Sequence, residues 1–366
     1  MSETFGETIR LTLFGASHGP AVGAFVTGLP AGEAVNPAEL QRFLDRRAPG
    51  RGGAASTARK EPDRPEFLSG LSPSGVLDGT PLCAVVRNCD TRSGDYAAIA
   101  SIPRPGHADF PARAKYGEAF DPRGGGHFSA RLTVGLCIAG GIAKQLLSRR
   151  GIFLGAHLLS AGPVSFTPFD PVAVSREDLE AVDFARHSLS AADVPRAEEL
   201  TALFERVRAD GDSVGGSVEC CVLGLTAGLG EPHFGGLESR ISSAVFGIPA
   251  VKAVAFGEGE RVSALRGSAN NDAYFFDGAG RVRTRTNHAG GILGGLASGM
   301  PLLLRASVKP TPSIALPQES VDLLRREAAG LSVRGRHDAC VVPRAVACVE
   351  AAVAFAILDA LASRPV

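Results

Sequence analysis

The sequence predicts an α+β fold: a single-domain β-α-β sandwich over residues 1–366, with antiparallel sheets enclosing a helical layer. Three observations predict it. Short apolar runs alternate with polar residues and pair across turn signals, as in residues 9–14 and 21–29. Two long runs, 131–149 and 343–362, are apolar nearly all round and rich in small residues, the composition of helices buried between other elements. No GxGxxG stands at a strand–helix junction, so a doubly wound dinucleotide fold is not expected.

Along the chain, Ile9, Leu11 and Leu13 alternate as a strand that runs into Gly15-Ala16-Ser17-His18-Gly19-Pro20, with 21–29 as its partner. Asn36 is an N-cap, Pro37 sits at N1 and Glu39 at N3, so a helix starts there and carries Arg42, Arg46 and Arg47. Asp78-Gly79 is a turn signal before the strand 81–87. Residues 197–209 form an amphipathic helix ended by Gly211, and 217–225 a strand. The second half echoes the first: strand 250–256, a Gly-rich polar stretch 286–299, and strand 301–308 ending at Lys309-Pro310. The final apolar helix is broken only by Glu350 and Asp359 as acidic residues.

With 45% hydrophobic and 21% charged residues, a chain of this length is globular and buries a large core. A net charge of +0, a pI near 7.1 and the lack of Trp exclude a general nucleic-acid surface. Thirty-three arginines against five lysines reflect GC-rich codons in total; clustering decides where they act. The seven cysteines contain no CxxC pair; Cys220-Cys221 in a strand run and Cys137 and Cys348 in helical runs read as buried small hydrophobes of a reducing compartment. The opening MSETFGETIR has no apolar signal core, so the expected location is the cytoplasm, away from membranes.

Residues 104–131 are poorly suited to building a core. Arg104, His107, Arg113, Lys115, Arg123, His127 and Arg131 would repel one another unless acidic partners or a small polyanion cover them. Gly124-Gly125-Gly126 lets backbone N–H groups approach such a ligand closely. His107 follows a Pro-Gly turn, and Asp109 is placed to orient its ring. His18 ends a strand between small residues, and Arg336-His337-Asp338 forms another polar triplet. A metal set of His18, His107, Asp109 and His337 lacks the i, i+4 spacing of a helical ligand pair, so no metal site is expected.

The combination is what is specific. GASHGPAVGAFVTGLPAG, LDRRAPG, KEPD at 60–63, RPGHADF, KYG, RGGG-x-x-SAR, AGLGEP, ALRGS, TNHAGGILGGLASG, VKPTPSI and RGRHDAC occur in the order found in chorismate synthases, and the chain resembles that family nearly end to end. The resemblance implies conversion of 5-enolpyruvylshikimate-3-phosphate to chorismate in the shikimate pathway, a 1,4-elimination of phosphate that needs reduced FMN without net redox change. It implies catalytic roles for His18, His107 and Asp338. It puts the flavin at His127, Phe128, Ser129, Pro249, Ala250, Gly294, the run Lys309, Pro310, Thr311, Pro312 and Ser313, and Arg336. Arg47, Arg51, Arg104, Arg123 and Arg131 are its candidate substrate or NADPH contacts. The substrate's phosphate and two carboxylates, with the flavin phosphate, suit the Arg clusters.

The family pattern also breaks in places. Ala16 stands where the family carries Glu, His127 and Phe128 where it carries Arg and Ser, and Ala48 and Ala54 at or near family arginines, with Arg51 as a nearby substitute. A histidine keeps the lost charge only when protonated. These departures keep a second reading open, a flavin- or phosphoester-binding protein on the same scaffold without the elimination. No reductase segment is visible, so an external flavin reductase is the expected electron source, with NADPH as the indirect reductant, and the resemblance implies a homotetramer.

Overall fold

Two five-stranded antiparallel sheets lie on either side of a layer of helices. The computed structural model describes residues 3–50, 55, 61–89, 101–333 and 337–363. The first sheet joins β1 (Thr4–Phe5), β2 (Arg10–Gly15), β3 (Ala21–Thr27), β4 (Glu66–Ser69) and β5 (Leu82–Arg87) in the order β1-β2-β3-β5-β4, with α1 (Pro37–Arg47) between β3 and β4 in the chain. α2 (Asp109–Tyr116) and the long α3 (Thr133–Ser148) follow. Then come β6 (Phe153–Ala161), β7 (Val164–Ser165), α4 (Arg176–Glu180), α5 (Ala197–Ala209), β8 (Gly216–Leu223), α6 (Leu237–Phe246), β9 (Val251–Phe256) and α7 (Gly267–Asn270). Two hairpins, β10 (Tyr274–Phe276) with β11 (Val282–Thr284) and β12 (Ile292–Leu293) with β13 (Leu296–Ala297), precede β14 (Leu302–Val308). The hairpin β15 (Gln318–Asp322) with β16 (Glu327–Leu331) leads to α8 (Val342–Ala362). The second sheet runs β7-β6-β8-β14-β9.

The predicted sandwich is therefore present. α3 packs on the first sheet, α8 on the second, and the two helices pack on each other. Their crossing is close: a Cβ on Gly140 would lie 2.4 Å from Ala351 Cα. Glycine costs a helix about 1 kcal/mol relative to Ala, and here that loss admits the facing backbone. Residues 130–148 and α8 are long and apolar enough to cross a membrane, yet 89% of each stretch is buried inside the protein, as in core helices.

Local signals act as expected. Asn36 Oδ1 accepts from Ala38 N at 3.0 Å and Glu39 N at 3.1 Å, which satisfies two of the donors left open at the start of α1. α5 spans the predicted 197–209, and Gly211 beyond it takes φ +69°. β6 is the main element that no pattern announced. It lies between β7 and β8 in its sheet, and its polar residue His157 is fully buried, with Nε2 3.2 Å from Glu219 Oε2. Glu219 also accepts from Phe169 N at 2.6 Å and Arg305 Nε at 3.1 Å. A buried polar residue that pairs across to the next strand hides the alternation that marks one.

The two acidic residues that interrupt α8 are its anchors. Asp359 accepts backbone N–H bonds from Glu7, Thr8 (2.9 Å) and Ile9 (2.8 Å), fixing the entry into β2. Glu350, fully buried, accepts from Arg46 of α1 (Nη1 at 3.1 Å), from Lys144 of α3, and from Ala156 N of β6 at 3.2 Å. Burial raises its pKa, but Arg46 and Lys144 outweigh this and hold it at about 2, against an ordinary 4.5. A carboxyl that is more acidic folded than unfolded stabilises the fold above its unfolded pKa, and that contribution is lost as pH falls toward the folded value.

Urea unfolding across pH should therefore show wild-type stability falling from about pH 4.5 toward pH 2. Glu350→Gln should be less stable at pH 7 by about 1–3 kcal/mol, the cost of taking the ionised partner from two half-buried cations, with a flatter acid limb. Parallel acid limbs for the two proteins would remove Glu350 from this role.

Candidate active site

A cleft of about 560 Å³ gathers residues 104–108, the turn 124–131, the segment 246–250, the run 309–313 after β14, and the approach to α8. Its histidine centre is built locally. Asp109, at the start of α2, accepts from Arg104 Nε at 2.7 Å and Arg104 N at 3.1 Å through Oδ2. Its Oδ1 takes Arg104 Nη2 at 2.8 Å and lies 2.6 Å from His107 Nδ1. Guanidinium always donates. Nδ1 at 2.6 Å from a carboxylate is therefore the protonated nitrogen, and its 3.1 Å approach to Arg104 Nη2 follows from two donors sharing one oxygen. Burial pushes the Asp109 carboxyl up, but the bonds from Arg104 and His107 prevail and hold it well below the usual carboxylate range. His107 thus presents Nε2 as its exchangeable nitrogen.

The triple glycine explains how both histidines reach one wall. Gly124, Gly125 and Gly126 take φ +58°, +84° and +54°. A Cβ on Gly124 would lie 2.3 Å from His18 Nδ1, and one on Gly125 would lie 3.0 Å from His107 Nε2. The expected ligand approach by backbone N–H groups is only part of the picture: Gly125 N is spent on Pro122 O at 3.0 Å. The run also serves as the surface against which two rings pack. Ser17 N bonds Gly126 O at 3.1 Å and fixes the strand-end turn to it.

Below the cleft lies a buried charge network. Asp63, with φ +48°, is fully buried and takes Arg47 Nε at 2.8 Å on Oδ2 and Arg131 Nη1 on Oδ1. Burial raises the Asp63 pKa, and the two guanidinium groups more than reverse this. Arg131 also reaches Glu61 Oε2 at 3.4 Å and Asn88 Oδ1 at 3.0 Å. Asn88 Nδ2 in turn donates to Ala16 O at 3.0 Å and Gly19 O at 2.8 Å, gripping the turn that carries His18.

Asp338, just ahead of α8, lines the cleft and accepts from Arg344 Nη1 at 3.2 and 2.9 Å; Arg344 Nε donates to Arg47 O at 2.9 Å. Lys309 stands apart: it lines the cleft and, among the described residues, has no carboxylate partner. Burial first, then the nearby Lys252 charge, lowers its pKa. Ala250, tied to Lys309 N at 2.9 Å, takes φ +76°, a strained backbone for Ala of the kind that collects at ligand sites.

The structure brings His107, Asp338, His127, Phe128, Ser129, Pro249, Ala250, Lys309, Thr311, Pro312, Ser313, Arg104 and Arg131 to this cleft, with His18 behind Gly124 at its edge. Pro310 belongs to the same run without lining it. Arg47 lies beneath, 1% exposed and bound to Asp63, so its charge supports the floor of the cleft. Arg123 points to solvent with Asp121 (2.7 Å), and Gly294 is exposed on the β12–β13 hairpin, outside this chain's cleft. Arg51, Ala54 and Arg336 lie outside the described residues. His127 Nδ1 lies 3.1 Å from Gly15 O, with Glu3 Oε1 3.5 Å from Nε2, and Phe128 packs with Tyr116 and Phe120 at 6.2 and 6.0 Å. The sequence reading passed over Asn88 and Arg344. Arg344 left a signal: a cation in the first turn of a helix opposes the macrodipole and calls for an anion beside it, here Asp338.

The sequence profile described as chorismate synthase matches residues 9–362. Proteins named chorismate synthase from Lancefieldella parvula (48% identity, 100% of this chain and 97% of the relative), Thermococcus kodakarensis (47%; 98% and 97%) and Methanothermobacter thermautotrophicus (45%; 97% and 92%) are similar along their lengths. A solved structure titled "Crystal Structure of Chorismate Synthase" superposes with a TM-score of 0.74 at 26% identity, over 97% of this chain and 92% of that one. With the profile spanning almost the whole chain and relatives this close, the chain belongs to the chorismate synthase family.

Proposed function

We propose that the cleft converts 5-enolpyruvylshikimate-3-phosphate to chorismate and inorganic phosphate, a carbon–oxygen lyase reaction, with reduced FMN beside the substrate. The observation that carries this reading is the convergence of His107 and Asp338 on one cleft, with His18 held at its edge by the glycine turn that also packs on His107. The C6 proton leaves, the bond from C3 to the phosphate oxygen breaks, and electrons balance without an external oxidant. The relatives reported above all carry the synthase name, and nothing favours a binding protein without the elimination.

The donor set suits FMN. Lys309, without a carboxylate partner among the described residues, is the anchor for a phosphate; Phe128 and Ala250 offer an apolar wall, and Ser129 and Thr311 add hydroxyls. Bound reduced FMN supplies electron density that eases C–O cleavage. The protein's part is orientation and proton handling. His107 donates a hydrogen bond from Nδ1–H to the Asp109 carboxylate, which leaves Nε2 as its candidate proton-transfer atom. Arg344 aims Asp338, the candidate base for the C6 proton. Arg104 and Arg131 surround the anionic substrate while their own carboxylate partners fix their position. The same reading places the protein in the cytoplasm, fed with reduced flavin by an external reductase that draws on NADPH. It also assembles the chain as a homotetramer, for which exposed Tyr274 and Phe276 on β10 offer apolar contact surface.

FMN fluorescence should be quenched on titration with the protein, more tightly with substrate present. Lys309→Gln should weaken FMN about tenfold or more and leave riboflavin, which lacks the phosphate, little changed. Quenching absent in both conditions, or an equal loss for both flavins, would sink the assignment.

Incubated anaerobically with the substrate and photoreduced FMN, the wild type should form chorismate. His107→Ala and His18→Ala should each slow this by about two to four orders of magnitude, the range for lost acid–base groups. Near-normal rates from both variants would take these residues out of the mechanism.

A further inference from the structure

A second cavity, of about 680 Å³, opens between α1, α3, residues 184–188 and the first turn of α8. It shares one lining residue with the cleft, Arg344. Two features distinguish it from an ordinary surface hollow.

The first is its inner wall. The guanidinium carbon of Arg46 lies 3.5 Å from the ring centre of Phe184 and 4.9 Å from that of Phe43, and Lys144 Nζ lies 5.8 Å from the Phe43 ring. Behind them the single carboxylate of Glu350 serves both cations, which leaves one positive charge at an aromatic wall. The rim adds Arg42 together with Glu39 and Asp45, and the Asp45 carboxylate accepts from Gln41 Nε2 at 3.0 Å.

The second is the backbone. His187 and Ser188 are consecutive non-glycine residues with φ +60° and +63°, and both line the cavity. Such conformations persist only where neighbours impose them, and they cluster at ligand sites. Here the enforcing bonds are His187 Nε2 to Thr201 Oγ1 at 2.8 Å, Ser188 Oγ to Pro343 O at 3.1 Å and Leu158 N to Ser188 O at 2.8 Å.

We propose that this cavity binds a small aromatic carboxylate, ring against Phe43 and Phe184 and carboxylate toward Arg46 and Lys144, and that occupancy acts on the cleft through Arg344. An anion on this side competes with Asp338 for the Arg344 guanidinium, loosens the two bonds that aim Asp338, and slows turnover. The binding half is independent of the reaction assigned above; the coupling half rests on it.

Benzoate is the probe. Calorimetric titration of the full chain, without flavin or substrate, should give a Kd of about 1 mM or tighter. Ala185→Trp, which fills the mouth of the cavity, and Lys144→Gln, which removes a cation while Arg46 still serves Glu350, should each weaken it about tenfold or more. Far-UV circular dichroism confirms that both variants are folded. Benzoate should lower wild-type turnover, and Ala185→Trp should keep normal turnover and lose the response. No binding by the wild type, equal affinity in the folded variants, or a benzoate Kd that rises without limit as FMN or substrate is added overturns the site; a bounded rise is the reciprocal of the coupling. Binding as described with turnover unmoved overturns the route through Arg344.

Discussion

The cleft depends on Asp63. Its carboxylate is fully buried and bridges Arg47 at the end of α1 to Arg131 just ahead of α3, so the helix layer and the floor of the site share one ion-paired joint. Taking three charged groups out of water is costly, and such a joint holds only when every group is partnered. Here the remaining donors find Thr133, Glu61 and Asn88. Through Asn88 the joint reaches the turn of His18, and through the Arg47 carbonyl it reaches Arg344 and so Asp338. Two of the three proposed catalytic groups are thus tied to one buried carboxylate.

The same device recurs at the third. Arg104 is locked by Asp109, which also sets the tautomer of His107. A site for a polyanion built only from loose cations would have to be reorganised by each ligand. Guanidinium groups already fixed by carboxylates are preorganised, at the expense of net positive potential. That gives Lys309 its significance as a cation of the wall without a carboxylate partner among the described residues.

Much of this was legible in the sequence, for physical reasons that also mark the limits. The Asn36-Pro37 cap, the end of α5 at Gly211 and the burial of α3 and α8 follow from local chemistry and periodicity, which a single segment displays. β6 was lost because His157 finds Glu219 only once two strands are side by side. The basic stretch 104–131 calls for anions, and the fold supplies several of them from the chain itself, in Asp63, Asp109 and Asp121. The resemblance offers Arg47 as a substrate or NADPH contact; that Asp63 lies against it is a contact that exists only once residue 63 is folded beside α1. Motif order pointed to the family and to His18, His107 and Asp338; it could not reveal Asn88 and Arg344, whose roles exist only as contacts across the fold.

The most direct test of this account is urea unfolding of Asp63→Asn at neutral pH. An amide of the same shape cannot neutralise two buried guanidinium groups, and the account predicts a loss of about 3–5 kcal/mol. A loss below about 1 kcal/mol, the scale of an ordinary exposed pair, would show that Asp63 is not the joint on which the cleft rests.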